Sequence, residues 1–149
     1  MSSNATFRAY THDDRAACEA VFDANCPDFF LPNERPDYLH YLDEQSEGYE
    51  VCVVDGGISG AFGIWHESDD CAHLSWIMID PAAQGHGVGT KMMERTFERC
   101  RSSSATLLKI AASHRSAPFF ARFGAEEIKY TEDGWGPGMH RIDMELPLQ

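Results

Sequence analysis

Three glycines within five residues, Gly85, Gly87 and Gly89, stand between an apolar run and a long amphipathic stretch. The apolar run is Leu74–Ile79, closed by the turn pair Asp80-Pro81. From Val88 onward, Val88, Met92, Met93, Thr96, Phe97 and Cys100 recur at helical spacing. Lys91, Glu94, Arg95, Glu98 and Arg99 take the opposite face. The segment therefore reads strand, glycine turn, helix. Glycines at such a junction leave backbone N–H groups uncovered by Cβ atoms, at the positive end of a helix dipole. An anion, and a phosphate-bearing ligand first of all, is the expected occupant.

The flanking sequence supplies the other elements of an α/β domain. Residues 6–10 alternate as an edge strand, and Thr11 with Asp14 makes a capping box for a helix reaching about Ala24. Residues 25–36 carry three prolines and read as a loop, unusually apolar at Phe29, Phe30 and Leu31. Pro36 suits the first position of a second short helix. Strands at 50–54 and 58–65 flank Asp55-Gly56-Gly57, a hairpin signal, and a third strand spans 72–79. After the long helix come a strand at 105–112, a short helix at 116–123 ended by Gly124, and strands near 125–131 and 139–146. With 149 residues, the chain is expected to form one domain over 1–149 that buries about two-thirds of its unfolded surface.

Composition narrows the partners. Twenty-four acidic against twelve basic residues give a net charge of −12, which argues against nucleic acid. The same balance suits an amine-bearing substrate as well as plain solubility. No apolar run approaches the ~18 residues of a membrane span. Neither a basic nor an apolar leader segment opens the sequence, so a cytoplasmic location is expected. The five cysteines form no CxxC pair and no zinc-ligand spacing, which predicts free thiols and no metal.

Three phosphate-binding frames compete for the glycine turn. A P-loop needs GxxxxGK followed by Ser or Thr, a spacing absent here. The dinucleotide fingerprint needs GxGxxG with an acidic residue about 20 positions later, whereas this loop is GxGxG and the segment near Lys109 carries no acid. Gln84-x-x-Gly87-x-Gly89, between a strand ending in Asp-Pro and a long amphipathic helix, resembles motif A of the GNAT acetyltransferase superfamily. Ser113-His-Arg-Ser116-Ala-Pro-Phe119-Phe120-Ala-Arg-Phe123-Gly124 is similar to that family's second signature, NxxAxxFYxxxGF, about thirty residues further on.

The resemblance implies the GNAT fold: a mixed, mostly antiparallel, seven-stranded sheet flanked by about four helices. It implies acetyl-coenzyme A as co-substrate, held in a slot between the strand ending at Ile79 and the one starting at Ala105. Ile77, Met78 and Ile79 would offer main-chain groups to the pantetheine arm. Gln84, as part of motif A, leads into Gly85, His86, Gly87, Val88, Gly89 and Thr90, whose N–H groups would hold the pyrophosphate. Ser113, Phe119 and Phe120 would flank the arm near its thiol. The implied activity is N-acetyl transfer to an amine by direct attack in a ternary complex, with a small molecule preferred to a protein as acceptor. The alternative is an acyl-coenzyme A sensor or partner domain without catalysis. Homodimers are common in the family.

Two positions depart from the pattern. The usual tyrosine acid is Phe120, which has no proton to give, and a usual glutamate base position is Leu108; Ser113 replaces the leading asparagine. Replacement proton-transfer groups are sought in His73, placed on one strand face with Ser75, Ile77 and Ile79, and in His140 and Tyr130. Phe29, Phe30, Tyr38, Tyr41 and Trp135 are expected around the acceptor, where aromatic faces suit an apolar body or a cation. Asp28, Glu34, Asp37 and Glu44 either attract an amine or form a solvated face.

Overall fold

Apolar alternation becomes seven strands: β1 (Thr6–Ala9), β2 (Tyr49–Val54), β3 (Gly57–His66), β4 (Cys71–Ile79), β5 (Leu107–Ser113), β6 (Glu126–Gly136) and β7 (Met139–Pro147). The four helices are α1 (Arg15–Ala24), α2 (Arg35–Glu44), α3 (Val88–Ser102) and α4 (Ala117–Ala121). The structure, a computed structural model, describes residues 4–148. All seven strands join one sheet in the order β1-β2-β3-β4-β5-β7-β6. Only β4 and β5 run parallel; the other neighbours are antiparallel. A parallel pair needs a crossover, and α3 supplies it.

Each sheet face buries its own core. On one side Phe62, Leu74, Leu108 and Met144 pack against Val88, Met92 and Met93 of α3 and Phe120 of α4. On the other, Tyr49, Val51 and Met78 pack against Phe22 of α1 and Tyr38 and Leu42 of α2. Asp14 accepts the Thr11 N–H at 2.9 Å, as the capping box predicts, and also takes both Arg8 guanidinium nitrogens at 2.8 Å. No helix among the described residues is long and apolar enough to cross a membrane.

Some boundaries move. Pro32–Glu34 forms a single 3-10 turn inside the expected loop, so α2 starts at Arg35. β5 begins at Leu107 because the Ala105 N–H still bonds to the Cys100 carbonyl at 3.3 Å. β6 runs on to Gly136 through an irregular stretch opposite Arg141, which places Gly134 and Gly136 within a strand.

One departure shapes the site. β3 and β4 pair as Gly63↔Ser75 and then as Ala61↔Met78, so β4 carries one extra residue. Trp76 takes a left-handed backbone, φ 45°. A bulge resets the two-residue alternation. Leu74 therefore shares its core with Ile77 and Ile79, while Trp76 and Met78 belong to the opposite one. The expectation that His73, Ser75, Ile77 and Ile79 share a face is thus corrected: the first two lie opposite the last two.

Candidate active site

β4 and β5 pair from Cys71↔Leu107 to Leu74↔Ile110 and no further. Beyond that point the strands diverge, leaving the β4 edge from Ser75 to Ile79 without a strand partner on this side among the described residues. A cleft of about 1070 Å³ occupies the gap.

At one end lies the glycine turn, and its three glycines are needed for two different reasons. Gly85 and Gly87 have φ of 82° and 83°, and a Cβ at either would meet nothing within 4 Å. Conformation alone selects glycine there. A Cβ on Gly89 would sit 2.8 Å from the Phe119 ring and 3.2 Å from Ile79 Cδ1, so space selects it. Lys91 N–H to the Gly87 carbonyl, 3.1 Å, is the first bond of α3. The N–H groups of Val88, Gly89 and Thr90 are then left without helical acceptors, at the positive end of a fifteen-residue helix. Gln84, Gly85, Gly87, Gly89 and Thr90 line the cleft; Val88 is buried in the core beneath, and His86 is exposed outside the lining.

The middle is walled by Ile77, Met78 and Ile79 on β4 and by Ser113, Phe119 and Phe120 across from them. Ser113 works as a turn former. Its hydroxyl accepts the N–H groups of Arg115 (3.2 Å) and Ser116 (3.1 Å), while Ser116 Oγ accepts the Ser113 N–H at 3.0 Å. Phe120 reaches the cleft from the core and offers no proton.

The other end is aromatic. Phe30 stacks on Trp76 (centroids 6.1 Å apart) and on Phe22 (5.1 Å), and Phe29 and Trp135 complete the lining. Trp135 donates from Nε1 to the Ala112 carbonyl at 2.9 Å, with the Arg141 guanidinium 4.9 Å over its ring. Asn33 Nδ2 donates to the Trp135 carbonyl at 3.2 Å, and a Cβ on Gly136 would lie 2.6 Å from Leu31 Cδ1. The 31–34 turn and the β6–β7 hairpin therefore bridge the cleft at this end. Tyr38, expected in the lining, lies behind it. Its hydroxyl is 2.9 Å from that of Tyr49, which donates to the Trp76 carbonyl at 2.8 Å, and burial pushes the Tyr38 phenol well up. Stacking on Phe22 (centroids 5.3 Å apart) and a tilted contact with Trp76 (5.0 Å) keep Tyr38 in the core, so Tyr38 does not line the cleft.

Of the four acidic residues near this end, Asp28, Asp37 and Glu44 are exposed, and Glu34 is only 7% exposed. Glu34 Oε2 accepts the Leu31 N–H at 2.9 Å. Burial, reinforced by the nearby Asp37, holds its carboxyl above the usual carboxylate range against the lowering effect of that N–H. Asn25 ties the end of α1 to β4 by donating to the Val21 (2.8 Å) and Ile79 (3.0 Å) carbonyls.

The three residues expected to move protons do not line the cleft. His73 stacks flat on Trp65, centroids 4.0 Å apart, with Nε2 2.8 Å from Glu67, and it lies in the part of β4 still paired with β5, opposite Lys109. Glu67, Cys71 and His73 bring donor atoms within 4.8 Å of one another, and the Lys109 ammonium is 3.7 Å from Glu67. His140 Nδ1 accepts the Asp133 N–H at 3.0 Å, its ring 4.7 Å from His114 and 5.5 Å from Tyr130. Tyr130 is half exposed. Among the lining residues that sequence reasoning passed over are Asn25, Ser75, Trp76, Arg115, Arg122 and Arg141. Trp76 sits at the β4 bulge, which no composition signal marks.

Comparison with known proteins agrees with this architecture. Residues 18–125 match the model of the acetyltransferase (GNAT) family. A Bacillus subtilis (strain 168) protein, provisionally named a ribosomal protein bS18-alanine N-acetyltransferase, is 26% identical over 123 residues, covering 76% of this chain and 81% of its own. Among solved structures, Ard1 from Thermoplasma volcanium superposes with a TM-score of 0.82 at 15% identity, covering 97% of this chain and 98% of its own. yncA from Salmonella typhimurium, solved with its cofactor acetyl-CoA, gives 0.73 at 17% identity, covering 99% and 95%.

Proposed function

The chain belongs to the acetyltransferase (GNAT) family, and from that premise we propose that it moves the acetyl group of acetyl-coenzyme A to a small primary amine by direct attack, with both substrates bound together. One observation carries the reading: a single cleft joins the glycine cradle, the unpaired edge of β4 and the aromatic end. The open space at Gly85 and Gly87 suits a diphosphate, and the free strand edge suits an amide-bearing arm added like an extra strand. That yncA, of the same fold, holds acetyl-CoA supports the choice of donor.

Acetyl-coenzyme A supplies an activated thioester carbonyl. The chain's part is binding and alignment. The N–H groups at the start of α3 hold the diphosphate, and Ile77–Ile79 offer main-chain partners to the arm. Ser113 and Phe119 fix the wall opposite. Holding amine and thioester in reach replaces a bimolecular encounter, and a strand N–H directed at the carbonyl oxygen would add electrostatic stabilisation. No cysteine is among the described residues lining the cleft, and burial pushes the thiols of Cys18 and Cys52 up to about 11, which favours direct attack over a thioester on the enzyme.

The bridge from Asn33 to Trp135 favours a small acceptor over an open peptide groove. A second reading, acetylation of a protein N-terminus, is favoured by the name of the Bacillus relative. Thiol release from acetyl-coenzyme A, measured over polyamines, amino acids, aromatic amines and peptides with free N-termini, separates the two. Turnover confined to small amines is the expected result; turnover confined to peptides selects the second reading. Binding of coenzyme A with no turnover on any amine selects the sensor role instead.

A further inference from the structure

Resting on the acetyl-transfer reading above, we propose that Glu34 receives the acceptor's ammonium in the aromatic end of the cleft and removes its proton, so that the acceptor is a primary amine carried on an apolar or aromatic body. Elimination leads to it. The charged side chains among the described residues lining the cleft are Glu34, Arg115, Arg122 and Arg141. Arginine does not give up its proton in proteins, and the remaining polar lining (Asn25, Ser75, Gln84, Thr90, Ser113, Ser116) has no base of useful strength. No histidine, lysine, tyrosine, cysteine or aspartate among the described residues lines it.

Placement and surroundings agree. Glu34 sits where the Pro32–Glu34 turn runs into α2, in the segment that Asn33 pins to the β6–β7 hairpin. The backbone of Leu31 donates to Oε2 and thereby orients the carboxylate, while no partner among the described residues holds Oε1. A carboxylate this buried is costly to leave without a counter-charge, and an incoming ammonium supplies one. Phe30 and Trp76 line the same end, and the cation and its apolar body would pack against the sides of this stacked pair that border the cleft. Burial, with Asp37 on α2 adding to it, also raises the basicity of Glu34 towards that of the proton it has to take.

The proton and electron accounts close. The ammonium gives one proton to Glu34, which later passes it to solvent. The freed nitrogen lone pair forms the N–C bond to the acetyl carbon as the C–S bond breaks. The second proton on nitrogen goes to the departing thiolate. The products are the N-acetyl amine and the coenzyme A thiol, without a tyrosine at position 120.

E34Q tests this while keeping the local fold, because the glutamine carbonyl still accepts the Leu31 N–H. The wild type, with acetyl-coenzyme A and the amine panel, should turn over best with amines on aromatic or aliphatic bodies. In E34Q, kcat/KM should fall by about 10²–10⁴-fold, the range for loss of a general base. The acid limb of the wild-type kcat/KM profile should disappear, with Asp37, Arg115, Arg122 and Arg141 as the other charges on α2 and the cleft walls. The thermal shift of E34Q with coenzyme A should equal that of the wild type. If E34Q stays within about threefold of wild type across the pH range and keeps the acid limb, Glu34 is not the base and acetyl transfer stands. If the wild type binds coenzyme A but turns over no amine, the Glu34 assignment is overturned together with the enzymatic reading. A wild type that shows no shift with coenzyme A overturns both from the donor side.

Discussion

Gly87 and Gly89 lie two residues apart, yet different forces exclude a side chain from each. At Gly87 the space is open and the backbone is left-handed, φ 83°, so a Cβ is disfavoured by about 1–2 kcal/mol from conformation alone. At Gly89 a Cβ meets the Phe119 ring at 2.8 Å, and the wall of the cleft has to move. G89A is therefore expected to lose coenzyme A affinity more than global stability, since Phe119 flanks the proposed arm. G87A is expected to lower the melting temperature, with a smaller effect on affinity once the loop is bound. Titration calorimetry and thermal melts of both variants check the contrast, and the reverse ranking would refute it. Ser113 makes a related point: as a turn former with two accepted N–H groups it does structural work, so the signature survives replacement of its asparagine.

At the scale of elements, two local contacts decide how helices and turns meet the sheet. Asp14 caps the start of the first helical segment and is gripped by Arg8, which holds its carboxyl below the usual aspartate range. A depressed pKa contributes stability above the unfolded value of about 3.9 that is lost as pH falls through the folded value. D14N should therefore be less stable by about 1 kcal/mol at neutral pH, the typical worth of a cap, and the gap should close in acid. Urea melts at pH 7 and at about pH 3 measure it. The second contact is the Asn33–Trp135 bridge across the acceptor end. N33A should open that end, raise KM for small amines severalfold and improve the relative rate on peptides. An unchanged ratio of peptide to small-amine kcat/KM would mean that the bridge does not set acceptor size.

For the whole molecule, a ligand that bridges two diverging strands stabilises the sheet it completes. Coenzyme A at a hundred times its dissociation constant should add about 2.7 kcal/mol, which for a chain of this size raises the melting temperature by roughly 5–10 °C. Scanning calorimetry with and without coenzyme A measures the shift. Much of this architecture is legible in the amino-acid order, because it depends on local physics. Periodicity marked the elements, the glycine turn marked one end of the cleft, and Phe29, Phe30 and Trp135 marked its aromatic wall. Those signals lie within a few residues of one another, where backbone sterics and helix spacing operate. The β4 bulge, the gap between β4 and β5, and the burial of Glu34 depend on contacts between segments far apart in the chain. His73 stays outside the cleft because it lies where β4 is still paired with β5, and a turn clamped by a hairpin a hundred residues later holds an ordinary acidic residue as a buried carboxylate. Residue order thus specified the glycine turn at one end of the cleft; only tertiary packing decided which side chains line the other end, because burial and orientation belong to pairs of elements and not to either one alone.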